Sequence, residues 1–174
     1  VDSVRAAAEE LPWVARAKVR RIWPATLRVH IVEQQPVAGW NGDGYLNAAG
    51  ETFFPRAGQT LIGLPLLAGP DGQAARVLVH YRKASEMLQP LDMAVTHIAM
   101  DRRRAWSLQL DNGVMLKLGR ARPWRRLQRF VRAFPGVFAG RLADLKSVDM
   151  RYSNGFSVHW QPAPAGEVFA QQDT

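Results

Sequence analysis

The sequence predicts an α+β chain. A short helix and a hairpin come first, then a mixed β domain with two helices packed on an extended antiparallel sheet. Three observations carry that prediction. Apolar residues alternate with polar ones in many short stretches, as in "VDMRYSNGFSVHW" at 148–160. Two segments, 74–88 and 123–134, change to helical spacing. Pro36 separates a small opening unit, 1–35, from the larger domain expected at 36–161.

Residues 2–11 read as a short helix stopped by Pro12, with Asp2 or Ser3 as N-cap and Val4, Ala8 and Leu11 on one face. Residues 14–22 alternate Ala15, Ala17 and Val19 with Arg16, Lys18 and Arg20. Residues 27–33 alternate Leu27, Val29 and Ile31 with Arg28 and His30, so the two runs form an antiparallel hairpin around Trp23-Pro24. A helix and one hairpin cannot bury a core alone. Residues 1–35 therefore read as the back half of a domain whose front lies outside them.

Past Pro36, short strands are predicted at 37–40, 44–48 and 52–54, the first two joined by an Asn-Gly-Asp-Gly turn. A Gly/Pro-rich connection follows through "LPLLAGPDG". In the helix at 74–88, Val77, Leu78, Tyr81, Ala84, Ser85 and Leu88 share a face, and Asp71 is the candidate cap. Strands follow at 94–100, 105–110 and 114–119, the last two joined by Asp111-Asn112-Gly113. The helix at 123–134 opens on Pro123, with Trp124, Leu127, Phe130, Val131 and Phe134 on its apolar side. Arg125, Arg126, Arg129 and Arg132 form its polar side, which reads as a solvated face or as a contact for anionic lipid or acidic protein.

In the last hairpin, a three-residue loop of Ser153, Asn154 and Gly155 pairs Tyr152 with Phe156, Met150 with Val158 and Val148 with Trp160. That register gathers one apolar face and places Gly155 at positive φ. Residues 162–174 are aperiodic, contain proline and are expected to be a disordered tail. Strand 156–160 would then end the fold as a free edge, without the lysine, proline or internal glycine that usually blunts one. An undefended edge is a liability or a docking rail.

Twenty-three basic residues against 15 acidic ones give a net charge of +8 and a pI near 10.8. Such a surface suits an anionic partner, and a basic nucleic-acid-binding domain is the rival reading. No RRM-type signature, zinc finger or basic-region heptad supports it. No enzymatic centre emerges either. His30, His80, His97 and His159 are scattered, no cysteine is present, and acidic residues are dispersed. The glycines of "GWNGDGY" lie between strands, in the wrong order for a dinucleotide loop. Neither cofactor nor metal is expected. No run of 18 apolar residues and no signal-peptide pattern occurs in these residues.

One block, "LPWVARAKVRRIWPATLRVHIVEQQPVAGW" at 11–40, orders its parts as L-P-W, a basic strand, W-P, an alternating strand ending in V-E, then P-x-A-x-W. This order resembles the FtsQ/DivIB family of bacterial cell-division proteins, across the end of a POTRA domain and the start of the β domain. The likeness continues in "GETF", "LPLLAGPDG", "RRAWSLQLDNGVMLKLGR", the helix at 124–134 and "VDMRYSNGFSVHW". It implies a partial POTRA domain at 1–35 and a non-enzymatic divisome scaffold. It further implies a single-pass inner-membrane protein with this region in the periplasm, enriched at the septum and anchored by a segment outside these residues. The implied partners are FtsB and FtsL, with FtsB adding a β-strand to the C-terminal strand. Carried over position by position, Tyr152, Asn154, Gly155, Val158 and Trp160 lie on the binding hairpin. Arg103 and Arg151 would meet acidic FtsB side chains from one continuous surface, and Asn154 stands where a serine is common.

Overall fold

The structure is a computed structural model that describes residues 1–55, 61–152 and 155–161. The opening unit holds α1 (Asp2–Glu9) and a two-stranded antiparallel sheet of β1 (Val14–Ile22) and β2 (Thr26–Glu33). Neither Asp2 nor Ser3 caps α1: Val1 takes the N-cap position, with no side-chain hydrogen bond. The hairpin turns at Trp23-Pro24 as expected, with Ile22 opposite Thr26. α1 covers the β1 half of the hairpin's apolar side, burying Ala17, while Leu27, Val29 and Ile31 on β2 are exposed.

The larger unit is a nine-stranded sheet in the order β11-β10-β9-β8-β7-β6-β3-β4-β5. Its strands are β3 (Pro36–Trp40), β4 (Gly44–Asn47), β5 (Thr52–Phe53), β6 (Leu66–Ala68), β7 (Val95–Met100), β8 (Trp106–Leu110), β9 (Met115–Gly119), β10 (Leu145–Asp149) and β11 (Ser157–Trp160). β6 was missed by the sequence reading, because three residues inside a Gly/Pro-rich stretch show no alternation. It pairs parallel to both β3 and β7, so the antiparallel-rich sheet contains a parallel passage at its centre. A second parallel junction joins β9 to β10, across α3 (Pro123–Val137).

α2 (Ala74–Leu88) and α3 lie side by side on one face of this sheet. Their apolar stripes meet Trp106, Leu108, Leu110, Leu116, Leu118 and Val148, which alternate along their strands as period two requires. Gln73, not Asp71, is the N-cap of α2, and it makes no side-chain cap bond. His80 stacks on Trp124 at 4.6 Å and meets the Trp106 ring edge-on at 4.8 Å, so it serves as a packing group between the helices and the sheet. The opening unit abuts the opposite end of the sheet, where the Trp13 ring lies 5.4 Å from Phe53 and 6.4 Å from Tyr45.

The last hairpin departs from the expected register. Val148 faces Val158 and Asp149 faces Ser157, two residues short of the predicted pairing. β10 begins at Leu145 and stops at Asp149, so 150–156 form a wide connection rather than a three-residue loop. A shift of two preserves the side-chain faces, so Val148 and Met150 are still buried. Tyr152 is not part of the strand; it is 58% exposed in the connection. The tip, Ser153-Asn154, on which the conformation expected of Gly155 depends, lies outside the described residues. The expected tail at 162–174 lies outside them as well.

Candidate functional site

β11 forms one edge of the large sheet, and no strand covers its outer side among the described residues. Alternation decides which main-chain groups turn outward. The Gln161 N–H donates to the Asp144 carbonyl at 2.7 Å, so position 161 faces β10, and by period two so do His159 and Ser157. The Met150 N–H donates to the Lys117 carbonyl at 2.9 Å, which turns Met150 and Val148 toward β9 and leaves Ser147 and Asp149 facing β11. Both deductions agree with the register, in which Asp149 meets Ser157 and Ser147 meets His159. Val158 and Trp160 therefore turn their N–H and C=O groups to the open side.

Their side chains are held from below. Phe156, Val158 and Trp160 are half-buried against the core, and the Phe156 and Trp160 rings lie 5.4 and 6.4 Å from the buried Phe138. The Arg141 guanidinium sits 4.4 Å from the centre of the Trp160 ring, a cation–π contact that covers its other side. The edge is thus a fixed strand with a solvated alternate face of Ser157 and His159.

α3 organises the connection before β11. Arg126 donates from Nη1 to the Leu118 carbonyl at 2.7 Å and from Nη2 to the Arg151 carbonyl at 2.6 Å. Arg129 Nη2 donates to the carbonyls of Gly155 at 2.9 Å and Tyr152 at 3.1 Å, with that of Met150 at 3.4 Å. These charge-assisted bonds satisfy carbonyls on both sides of the hairpin tip that no strand pairs. Gly119, at φ +70°, leaves room for them. A Cβ there would lie 2.9 Å from Arg151 Cγ and 3.1 Å from Arg126 Nη1.

Arg151 is not an isolated cation. It forks onto Asp149, with Nε 2.9 and 3.0 Å from the two carboxylate oxygens and Nη2 2.6 Å from Oδ2, and its own N–H donates to Oδ1 at 3.0 Å. The Arg151 side-chain hydrogen bonds, against an opposing contribution from burial, hold the Asp149 carboxyl below its ordinary range.

Arg151, Tyr152, Gly155, Val158 and Trp160 come together on or beside the hairpin, while Asn154 lies outside the described residues. Arg103 is exposed in the connection from β7 to β8, three positions before Trp106. Trp106 pairs with Gly119, against which Arg151 packs, so Arg103 and Arg151 occupy the same end of the sheet. The sequence places Arg126 and Arg129 on a polar helix side without assigning them to this site, and it gives Asp149 no role. The two arginines are three apart beside the apolar stripe, a spacing that puts them on one flank of α3. Nothing local in the sequence says which carbonyls lie beneath that flank.

Among the described residues no helix is long and apolar enough to cross a membrane. Residues 38–151 match the model of the C-terminal region of the cell division protein FtsQ/DivIB, and residues 1–34 match the FtsQ-type POTRA domain. Curated relatives agree. The chain is 41% identical to the cell division protein FtsQ of Shewanella oneidensis over 96% of its own length and 63% of that protein. It is 38% identical to FtsQ of Escherichia coli, over 95% of the chain and 61% of the relative. It is 40% identical to FtsQ of Allochromatium vinosum, over 95% and 66%. It thus spans a little under two thirds of the length of these relatives. Nothing in these likenesses favours nucleic-acid binding. With both family models matched in order along nearly the whole chain, this protein belongs to the FtsQ/DivIB family of cell-division proteins.

Proposed function

We propose that this chain acts as a non-enzymatic scaffold of the division machinery, receiving a β-strand of FtsB, with FtsL alongside, on the open side of β11. The observation that carries the reading is the outward-facing main chain of Val158 and Trp160 on a sheet edge with no strand partner among the described residues. Strand addition takes its affinity from such main-chain groups and its selectivity from flanking side chains. The flanks here are Tyr152 and Gly155 in the connection, with Arg151 and Arg103 as one basic surface at that end of the sheet, and Asn154 is assigned by the family likeness alone. The family relationship supports placing this region in the periplasm, tethered to the inner membrane at the septum by a preceding segment.

Val158→Pro tests the reading, since proline removes one outward donor and leaves the inward bonds of Ser157 and His159 in place. Affinity for a periplasmic FtsB fragment should fall by about tenfold or more, with an unchanged circular dichroism spectrum. A folded Val158→Pro protein that binds the fragment like the parent would move the docking site elsewhere. Arg151→Glu should weaken the same binding mainly through slower association.

A further inference from the structure

Among the arginines of α3, two are committed to main-chain carbonyls. Arg126 joins the end of β9, through Leu118, to the residue that follows Met150, through Arg151. Arg129 gathers the carbonyls of Tyr152 and Gly155, with Met150 near, from both sides of the hairpin tip. A solvated polar face would leave these carbonyls to water. Here one helix fixes the exit of β10 and the approach to β11 from beneath.

We propose that Arg126 and Arg129 are positioning residues of the docking edge, holding residues 150–152 and Gly155 so that Tyr152 and the start of β11 are in place before a partner strand arrives. The inference rests on strand addition at β11 and adds the device that prepares it. A seven-residue connection between two short strands has many conformations available, and ordering it on binding would draw on the affinity of the incoming strand. The guanidinium suits the task because its planar fork reaches several oxygens from one rigid group, which an ammonium cannot do. Gly119 belongs to the same device, since a side chain there would collide with both Arg126 and the stem of Arg151. Arg126 and Arg129 need not touch the partner. Their effect travels through the carbonyls they hold.

The test uses the 174-residue chain with Arg129→Gln, Arg126→Lys and, as reference, Val158→Pro, each measured against a periplasmic FtsB fragment. Hydrogen exchange at 150–156 should quicken in Arg129→Gln while exchange in β7, β8 and β9 stays at parental rates. Affinity should fall about tenfold, with the loss in the association rate, because only a fraction of molecules then presents the competent loop. Arg129→Lys, which keeps the charge and loses the fork, should recover less than half of that loss in logarithmic units. Arg126→Lys carries the same test should Arg129→Gln fail to fold. Unchanged exchange at 150–156, or quickened exchange with parental affinity, overturns the positioning role while leaving the β11 reading intact. A loss confined to the dissociation rate also overturns it, since the arginines would then be partner contacts. Parental binding by Val158→Pro removes strand addition itself, and this inference with it.

Discussion

The β1–β2 hairpin and the β10–β11 hairpin carry the same signature, apolar residues alternating with polar ones around a turn, yet they were built differently. The first turns where its sequence says, at Trp23-Pro24, and leaves Leu27, Val29 and Ile31 exposed. The second pairs two residues short of the expected register, and its apolar face is covered by α3 and Phe138. Alternation reports which side of a strand is apolar. What covers that side, and where the backbone stops pairing, depends on groups brought in from elsewhere. In the first hairpin α1 covers only β1, and the apolar side of β2 stays open. In the second, two guanidinium groups from α3 hold carbonyls on both sides of the hairpin tip.

The largest effect that would test this contrast is expected at Phe138. Its ring is fully buried and touches Phe130, Phe134, Phe156 and Trp160, so Phe138→Ala should destabilise the larger unit by about 3–5 kcal/mol in denaturant unfolding. A loss below about 1 kcal/mol would mean that the C-terminal hairpin is no better anchored than the first. Gly119→Ala comes next, at about 1–2 kcal/mol, from an L-residue forced to positive φ. It should also quicken exchange at 150–155, and a neutral result there would separate Gly119 from the arginine clamp.

Ile31→Ala should change stability by no more than about 0.5 kcal/mol, since the side chain is half exposed on the open face of β2. A cost comparable to that of Phe138→Ala would break the comparison, because the first hairpin would then have a covered face too. The smallest effect belongs to Asp149. Its folded-state acidity is raised by Arg151, so its contribution is present above the ordinary carboxylate value of 3.8 and is lost as pH falls through the lower folded value. Asp149→Asn should therefore lower neutral-pH stability slightly and flatten the acid limb below the ordinary carboxylate value by the same small amount, as expected for a pair whose arginine is solvated. An acid limb identical to the parent's would show that the pair contributes nothing to folding.

Much of this was legible beforehand. The helix at 74–88 is α2 residue for residue, and the strands at 94–100, 105–110 and 114–119 agree with β7, β8 and β9 to within one position. Those segments have strong periodicity and turn chemistry at their ends, so local preference and tertiary packing agree. β6 was illegible because a three-residue central strand is specified by its neighbours β3 and β7 rather than by its own pattern. The caps expected at Asp2 and Asp71 failed for a related reason: the N-caps fall at Val1, one position before Asp2, and at Gln73, two positions after Asp71, so neither carboxylate sits at the N-cap. At the candidate site, the strand and its apolar face were readable from the alternation of Phe156, Val158 and Trp160. The pairing of Arg151 with Asp149 was not read, although two residues separate them, because strand alternation alone treats both as solvent-facing.

By itself, then, the sequence determined the α+β class, most of the elements, the apolar faces and the alternation of the strand at 157–160, because these depend on periodicity and turn residues within a few positions. Only the tertiary structure decided the register of that strand, the carbonyls held by Arg126 and Arg129 and the burial of Phe138 beneath Trp160. Apart from the Leu118 carbonyl, 8 positions from Arg126, these contacts join residues 21 to 26 positions apart, set by where α3 lies across the sheet, and no local pattern encodes such a distance.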